Sequence, residues 1–138
     1  MDLFAYIDSS VVLRILLPQS DAIPDLRRWR LLSSQLVDVE VRRTLLRYHT
    51  EHVLSAAKFA RRVNEWNLVR DSIDLIPISN GIMQRAAEPF PTLVKTLDAI
   101  HLATAIGWAG QTQEPVTILT HDRPLGIAAS ACGFQVVP

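Results

Sequence analysis

The chain has 138 residues, of which 49% are apolar and 20% are charged, a composition typical of one packed globular domain rather than of a disordered segment. Fourteen Lys and Arg balance fourteen Asp and Glu, so the net charge of zero by itself argues against a nucleic-acid partner. The single cysteine excludes a disulfide within the chain. Neither a basic leader pattern nor an apolar run of roughly 18 residues is present, so we expect a single soluble, cytoplasmic domain over residues 1–138.

Apolar runs alternate with amphipathic segments along the chain. In chain order we predict a strand at 3–7, a helix at 10–17, a short helix at 22–29, a brief strand at 31–32, helices at 35–49 and 52–68, a strand at 73–78, helices at 79–88 and 97–109, a strand at 116–120, a helix at 123–131 and a strand at 134–137. Ser9 and either Ser33 or Ser34 are the expected N-caps, while Pro18 and Gly133 end the first and last helices. Strands separated by helices pair in parallel with helices on both faces, which predicts an α/β fold around a central parallel sheet.

The basic residues are unevenly distributed. The stretch from Arg27 to Arg70 holds ten of the fourteen Lys and Arg but only four acids, so it carries a net charge of +6 and the rest of the chain carries −6. An arginine-rich flank of this kind suits a polyanion that is held by its phosphates. Solvated helix faces with intrahelical ion pairs are an equally good explanation at this point.

Four carboxylates adjoin apolar segments, where a charged side chain is poorly solvated. Asp8 ends the first predicted strand, Asp122 follows the fourth, and Glu40 and Asp98 lie in predicted helices. In a parallel sheet of this type, ligands bind beyond the carboxyl ends of the strands, which is where Asp8 and Asp122 fall. Gathered acids repel one another unless a cation lies among them, and Mg²⁺ or Mn²⁺ prefers carboxylate oxygen, so the pattern predicts a divalent metal site.

Each acid taken alone has a simpler explanation. Asp8, Asp98 and Asp122 each precede or open a helix, where Asp is a favoured cap. Glu40 has Arg43 one turn away on the same helix face and could form an ordinary ion pair with it.

The four histidines lack the spacing of a zinc site. One of them, His101, follows Asp98 by nearly one helical turn. It could line the same pocket, or it could be a half-buried histidine with its hydrogen bonds satisfied.

Four segments of the chain resemble, in the same order, the motifs of PIN-domain ribonucleases and, more narrowly, of the VapC toxins of bacterial toxin–antitoxin pairs. They are YIDSS at 6–10, VDVEVRR at 37–43, LDAIHLATA at 97–105 and THDRPL at 120–125. The run at 97–105 is the most specific of them, and the resemblance extends from residue 3 to about residue 136.

The resemblance implies a three-layer α/β/α PIN domain that hydrolyses RNA with Mg²⁺ or Mn²⁺. Carried over by position, Asp8, Glu40 and Asp98 would be the core catalytic metal ligands and Asp122 a fourth, more variable one. The resemblance also implies an RNA substrate, a small VapB-like antitoxin partner and a homodimer. The lack of a long apolar run predicts no association with a membrane. Two small polar residues match positions near such a site, where they could orient water or a carboxylate: Ser9 and Thr120.

Other proteins also place acids at the ends of parallel strands. Aspartate-nucleophile phosphatases need Asp-x-Asp after the first strand, but Ser10 occupies the second of these positions. Receiver domains need a lysine that closes a late strand, and the only lysines are Lys58 and Lys95. A catalytically silent RNA- or protein-binding module with the same fold remains the alternative, although such a module has no use for a repulsive acid cluster.

Overall fold

The computed structural model describes residues 3–17 and 21–138, in which strands alternate with helices. The strands are β1 (Phe4–Ile7), β2 (Arg30–Ser34), β3 (Ile73–Ile76), β4 (Val116–Leu119) and β5 (Gln135–Val137). The helices are α1 (Ser9–Leu16), α2 (Leu36–Thr50), α3 (Ala56–Arg70), α4 (Asn80–Ala86), α5 (Thr96–Thr112) and α6 (Arg123–Ala131), and a single 3₁₀ turn covers Leu26–Arg28. Within those described ranges, no helix combines the length and apolar character needed to cross a membrane.

All five strands pair in parallel, in the spatial order β3-β2-β1-β4-β5. The chain therefore builds outward from β1 through β2 to β3, and then returns to place β4 on the opposite side of β1. This reversal makes the boundary between β1 and β4 the topological switch point of the sheet, where open parallel sheets bind ligands. The predicted α/β fold with a central parallel sheet is confirmed.

The sheet lies between two apolar cores, and the alternation of side chains along β1 feeds both of them. Ala5 and Ile7 pack with buried side chains of α1, α2 and α3, including Trp66. Tyr6 points to the other face, where it packs with side chains of α5 and α6 such as Leu102. The period of two along β1 therefore directs the Tyr6 side chain toward α5.

The helix predicted over 22–29 is wrong. Only the 3₁₀ turn at Leu26–Arg28 forms there. Pro24 lacks a backbone N–H donor, and Asp25 adopts a left-handed conformation with φ of 57°, so a continuous right-handed helix cannot pass through this pair.

The junction between β2 and α2 also differs from the prediction. Ser33 and Ser34 both belong to β2, which extends beyond the predicted strand, and Gln35 occupies the N-cap position of α2. The Ser33 hydroxyl donates to the Ile7 carbonyl at 2.6 Å and so ties β2 to β1. The Ser34 hydroxyl accepts the Leu36 N–H at 3.1 Å. Ser34 therefore bonds to the first residue of α2, as a cap would, although it belongs to β2.

Two other helices begin at positions that were not predicted. Helix α1 starts at Ser9, so Asp8 takes the N-cap position expected for Ser9, and the predicted stop at Pro18 lies outside the described residues. Helix α3 starts at Ala56, later than predicted, because the Ser55 hydroxyl caps it by accepting the N–H of the residue three positions on.

Several basic residues of the 27–70 stretch form ion pairs within the protein. Arg42 Nε and Arg70 Nη1 donate to Asp38 Oδ1 at 2.9 and 3.2 Å, and the buried Trp66 donates its indole N–H to the same oxygen at 2.8 Å. These contacts fasten α2 to α3. The stretch also contains ion pairs between Arg30 and Asp74, Arg47 and Glu51, and Arg62 and Glu65. Part of its positive charge therefore stabilises the helices, as the alternative explanation expected.

We expect Asp38→Ala to lower the free energy of unfolding by roughly 2 kcal/mol at pH 7, because it removes an acceptor shared by charged and buried donors. Burial alone would raise the pKa of Asp38, but the hydrogen bonds from Trp66 and Arg42 and the charges of Arg42 and Arg70 outweigh burial and lower it. The stabilisation is therefore complete at neutral pH and is lost as the pH falls through that lowered pKa.

Urea unfolding at pH 7 and pH 3 measures this effect, with the exposed-carboxylate variant Glu114→Ala as control. If Asp38→Ala and the wild type have the same free energy of unfolding at pH 7, the Asp38 contacts between α2 and α3 do not contribute to stability.

Candidate metal centre

The four predicted acids lie toward one end of the sheet, around the switch point. Asp8 directly follows β1, and Asp122 follows β4 and precedes α6. Glu40 lies in the second turn of α2, and Asp98 lies in the first turn of α5. Two strand ends and the N-terminal parts of two helices therefore present the carboxylates.

Asp8 is buried, with 5% of its surface exposed, and hydroxyl groups bind both of its oxygens. Ser10 donates to Oδ1 at 2.6 Å, and Thr120 donates to Oδ2 at 2.9 Å. Although Asp8 occupies the N-cap position of α1, its side chain makes no capping hydrogen bond, so the simple helix-cap explanation is wrong for this residue. Burial raises the pKa of the Asp8 carboxyl, while the two hydroxyl donors act in the opposite direction.

Glu40 pairs with a histidine and not with Arg43. His101 Nε2 lies 2.5 Å from Glu40 Oε1, and the imidazole is 1% exposed while the Glu40 side chain is 17% exposed. On its other side, the imidazole Nδ1 lies 2.7 Å from the Tyr6 hydroxyl. His101 is therefore more deeply buried than the sequence indicated, its hydrogen bonds are satisfied, and it contacts one of the four acids directly.

The other acids of the cluster oppose the ionisation of Asp98. It is the third residue of α5, whose N-cap position belongs to Lys95, so the expectation that Asp98 itself caps the helix is wrong. Burial raises the pKa of Asp98 to about 6, and the negative charges of the other three acids add to the increase. The other three carboxylates therefore lie close enough for each to oppose the ionisation of Asp98.

Asp122 has a structural role as well as a place in the cluster. Its Oδ1 accepts the Leu125 N–H at 3.1 Å, which caps α6, so the helix-cap explanation is correct for this residue. Its own N–H donates to the Thr120 hydroxyl at 2.9 Å, and that hydroxyl also contacts Asp8. Thr120 therefore links the two strand-end acids.

A cavity of about 650 Å³ connects three of the acids. Glu40, Asp98 and Asp122 line it together with Lys95 and other residues at the start of α5. Asp8 is not part of this lining, but its charge acts on Asp98. The cavity is open and three of its lining side chains are carboxylates, which suits a hydrated ion better than an apolar molecule.

The donor set fits a hard divalent cation, since it consists of carboxylate oxygens and the acids repel one another in its absence. Across residues 3–17 and 21–138, however, no three His, Cys, Asp or Glu side chains are arranged so that they could hold a metal ion together as they stand. Mutual repulsion opposes a closer approach of uncompensated carboxylates. Binding an ion would require at least some of these side chains to turn toward it.

The sequence did not indicate three residues of this site in the roles that the structure gives them. Ser10, rather than Ser9, provides the hydroxyl that binds Asp8. Lys95 brings a cationic side chain to the acidic cavity. The sequence predicts Tyr6 only as part of an apolar strand. The period of two nevertheless places its side chain on the same face as that of Asp8, which directly follows β1.

Sequence comparisons identify the family of this chain. The family model for the PIN domain matches residues 5–124. The chain is 36% identical over 136 residues to Ribonuclease VapC46 of Mycobacterium tuberculosis strain ATCC 25618 / H37Rv, covering 96% of this chain and 95% of that protein. It is 25% identical over 129 residues to Ribonuclease VapC47 of M. tuberculosis strain CDC 1551 / Oshkosh, covering 94% and 92% of the two chains.

A comparison with solved structures supports the fold. A chain of a toxin–antitoxin complex from Klebsiella pneumoniae superposes with a TM-score of 0.66 at 19% sequence identity, over 97% of this chain and 96% of that one. At this level of identity the match concerns the fold alone. The predicted resemblance to PIN-domain ribonucleases of the VapC type is confirmed by the family match and the curated relatives.

We expect the metal-free protein to become more stable relative to Asp98→Asn as the pH is lowered from 7 to 5. Because the pKa of Asp98 is raised to about 6, the folded state binds more protons than the unfolded state below that pH, and stability falls as the pH rises through this range. At pH 7 the variant should be more stable than the wild type by roughly 1 kcal/mol, after allowance for the partial exposure of Asp98.

Thermal unfolding in chelator at pH 5, 6 and 7 measures this difference, and the exposed variant Glu114→Gln should follow the wild type throughout. If the difference in unfolding temperature between Asp98→Asn and the wild type is the same at all three pH values, the pKa of Asp98 is not raised.

Proposed function

The chain belongs to the PIN-domain family, within its VapC-type group, and on that premise we propose that it is a metal-dependent endoribonuclease, the toxin of a type II toxin–antitoxin pair. We take residues 1–138 as a single PIN domain. The observation that carries the proposal is the grouping of four mutually repelling carboxylates around the switch point of the sheet. The ribonuclease names of the two curated relatives support the choice of RNA as substrate.

We assign the metal site to Asp8, Glu40 and Asp98, with Asp122 as a fourth, less essential member. Mg²⁺ or Mn²⁺ bound there would activate the attacking water and neutralise charge on the phosphate. All four residues offer hard oxygen atoms, and a cation would relieve the repulsion that raises the pKa of Asp98. The hydroxyls of Ser10 and Thr120 would hold Asp8 in place, in the way that outer hydrogen bonds orient carboxylate ligands.

The chain's own residues have separate roles in the proposed hydrolysis. As water attacks phosphorus, a carboxylate oxygen of Asp98 or Asp122 accepts its proton. The bond from phosphorus to the ribose oxygen breaks, and that oxygen takes up a proton from solvent water. Lys95 lines the same cavity, where its ammonium group would attract the RNA phosphates that the acids repel. Arginines of the 27–70 stretch that have no role in fastening α2 to α3 would hold more distant phosphates.

We also propose a small VapB-like antitoxin that blocks the site, and a homodimer. The antitoxin is supported by the Klebsiella structure, which is described as a toxin–antitoxin complex. Exposed apolar side chains also suit a protein partner, since Leu97, which lines the acidic cavity, is 48% exposed, and Leu93, four residues earlier in the chain, is 95% exposed.

A second candidate function is a catalytically silent RNA- or protein-binding module. One observation favours it: no three acids in the described ranges are ready to hold an ion without rearrangement. Titration calorimetry with Mn²⁺ separates the two functions. Heat from the wild type that is lost in Asp8→Asn supports the nuclease, and equal absence of heat from both proteins supports the silent module.

We expect the purified protein to cleave structured RNA with Mg²⁺ or Mn²⁺ and to lose this activity in EDTA. Asp8→Asn and Asp98→Asn should abolish cleavage, because each removes a charge from the proposed site. Asp122→Asn should reduce cleavage least, and its fold should be intact because Asn is also a good N-cap for α6.

Gel analysis of the cleavage products with each variant provides the test, and Glu114→Gln serves as a control with a charge removed far from the cavity lining. Undiminished cleavage in excess EDTA, by protein free of contaminating nuclease, would rule out the metal mechanism.

Expression of the chain without its partner is expected to slow bacterial growth and fragment cellular RNA, while Asp98→Asn expressed to the same level should be harmless. Growth curves and sequencing of RNA 5′ ends after brief induction measure both effects. If folded, abundant wild-type protein leaves growth and RNA unchanged, the toxin assignment is wrong.

A further inference from the structure

A chain of three hydrogen bonds leads from the backbone of β2 to the carboxylate of Glu40. The Ser34 N–H donates to the Tyr6 hydroxyl at 3.1 Å, the hydroxyl lies 2.7 Å from His101 Nδ1, and His101 Nε2 lies 2.5 Å from Glu40 Oε1. Tyr6 and His101 are each 1% exposed. Because the chain starts at a strand backbone and its two middle members are buried, its geometry is fixed by the core.

One donor in this chain can be assigned from its last member. The Glu40 carboxylate only accepts, so His101 Nε2 carries a proton and donates to Glu40 Oε1. In the neutral imidazole, Nδ1 then accepts from the Tyr6 hydroxyl, whose oxygen accepts the Ser34 N–H. In that tautomer each contact uses one proton, and all three protons point toward the carboxylate.

The two middle residues are both buried. Tyr6 packs in the core between the sheet and α5 with Leu102 and Ile118. Polar groups placed in such a core cost free energy unless each finds a partner, and Phe and Leu would fill the same space without that requirement. If Tyr6 and His101 had only a structural role, any buried polar group could complete their hydrogen bonds. Their hydrogen bonds instead end on Glu40, which lines the open cavity.

The arrangement at Glu40 leaves one oxygen available. His101 contacts Oε1, and the side chain retains 17% exposure. A carboxylate held through one oxygen has its rotation restricted, so its second oxygen keeps a defined direction. Hydrogen bonds of this kind typically improve metal affinity by about 10- to 100-fold when the carboxylate is a ligand.

We propose that Tyr6 and His101 are positioning residues that orient Glu40 for divalent metal binding. The inference rests on the proposed function, since it assumes that Glu40 is a ligand. Neither residue touches the metal or the RNA. Both act through the Glu40 carboxylate, whose free oxygen they direct to the ion while the other oxygen stays on His101.

Mn²⁺ binding to the full chain, measured by titration calorimetry and by the loss of the free-ion electron paramagnetic resonance signal, tests this inference without reference to activity. His101→Leu should weaken Mn²⁺ binding by about 10- to 100-fold. Tyr6→Phe should weaken it less, because the imidazole keeps its contact with Glu40. His101→Gln should recover part of the loss, because its amide retains an N–H donor.

A control variant removes a histidine that lies outside the chain of hydrogen bonds and is only partly buried. His49 Nδ1 contacts the Leu54 carbonyl at 3.0 Å and its ring stacks on Phe59, so His49→Leu should perturb packing without changing Mn²⁺ affinity. In a Glu40→Gln background, His101→Leu should cause no further loss, because its effect passes through Glu40.

Different failures have different meanings. If wild-type protein binds Mn²⁺ and folded His101→Leu binds it equally well, the positioning role is wrong while the proposed function stands. The positioning role is also wrong if His101→Leu weakens binding as much in the Glu40→Gln background. If the wild type binds no Mn²⁺, both proposals fail. If His101→Leu does not fold, the Mn²⁺ affinity of Tyr6→Phe, which removes a single oxygen, is compared with that of the wild type in the same two backgrounds. Unchanged affinity would then show that the positioning role is wrong.

Discussion

Electrostatic repulsion among four carboxylates is the constraint on which this end of the molecule depends. A parallel sheet brings the ends of β1 and β4 together, and two helices add their own acids, so negative charge accumulates where burial also raises its cost. Burial and the charges of the other three acids together raise the pKa of Asp98. A fold that keeps such a cluster must either compensate it from within or leave it for a cation.

The structure compensates the acids individually and unequally. Asp8 receives two hydroxyl donors, Asp122 receives a helix N–H, and Glu40 receives a histidine. Asp98 is partly buried, and the charges of the other three acids add to the effect of burial in opposing its ionisation. Each local solution fixes the direction of a carboxylate, yet no three of those within the described ranges form a closed set of ligands. A cation bound at the proposed site would relieve this repulsion.

The arginine-rich stretch shows how sequence charge and surface charge can differ. Its net charge of +6 is a property of the sequence. In the folded chain, Arg42 and Arg70 converge on Asp38, where Trp66 also donates, so these arginines join two helices. Charge counted along a sequence therefore overestimates what a polyanion meets, because ion pairs between helices depend on packing that the count ignores.

The amino-acid sequence by itself determined the strand–helix alternation, the parallel sheet, the family, and the position of Asp8 and Asp122 beyond strand ends, because these follow from local periodicity and from the order of the motifs. It placed a helix at 22–29 wrongly, since a left-handed residue is not evident from periodicity. Only the tertiary structure decided the partners of the acids. Tyr6, His101 and Glu40 are distant in sequence and meet because strand alternation and helix packing bring three separate elements to one point, which local sequence does not specify.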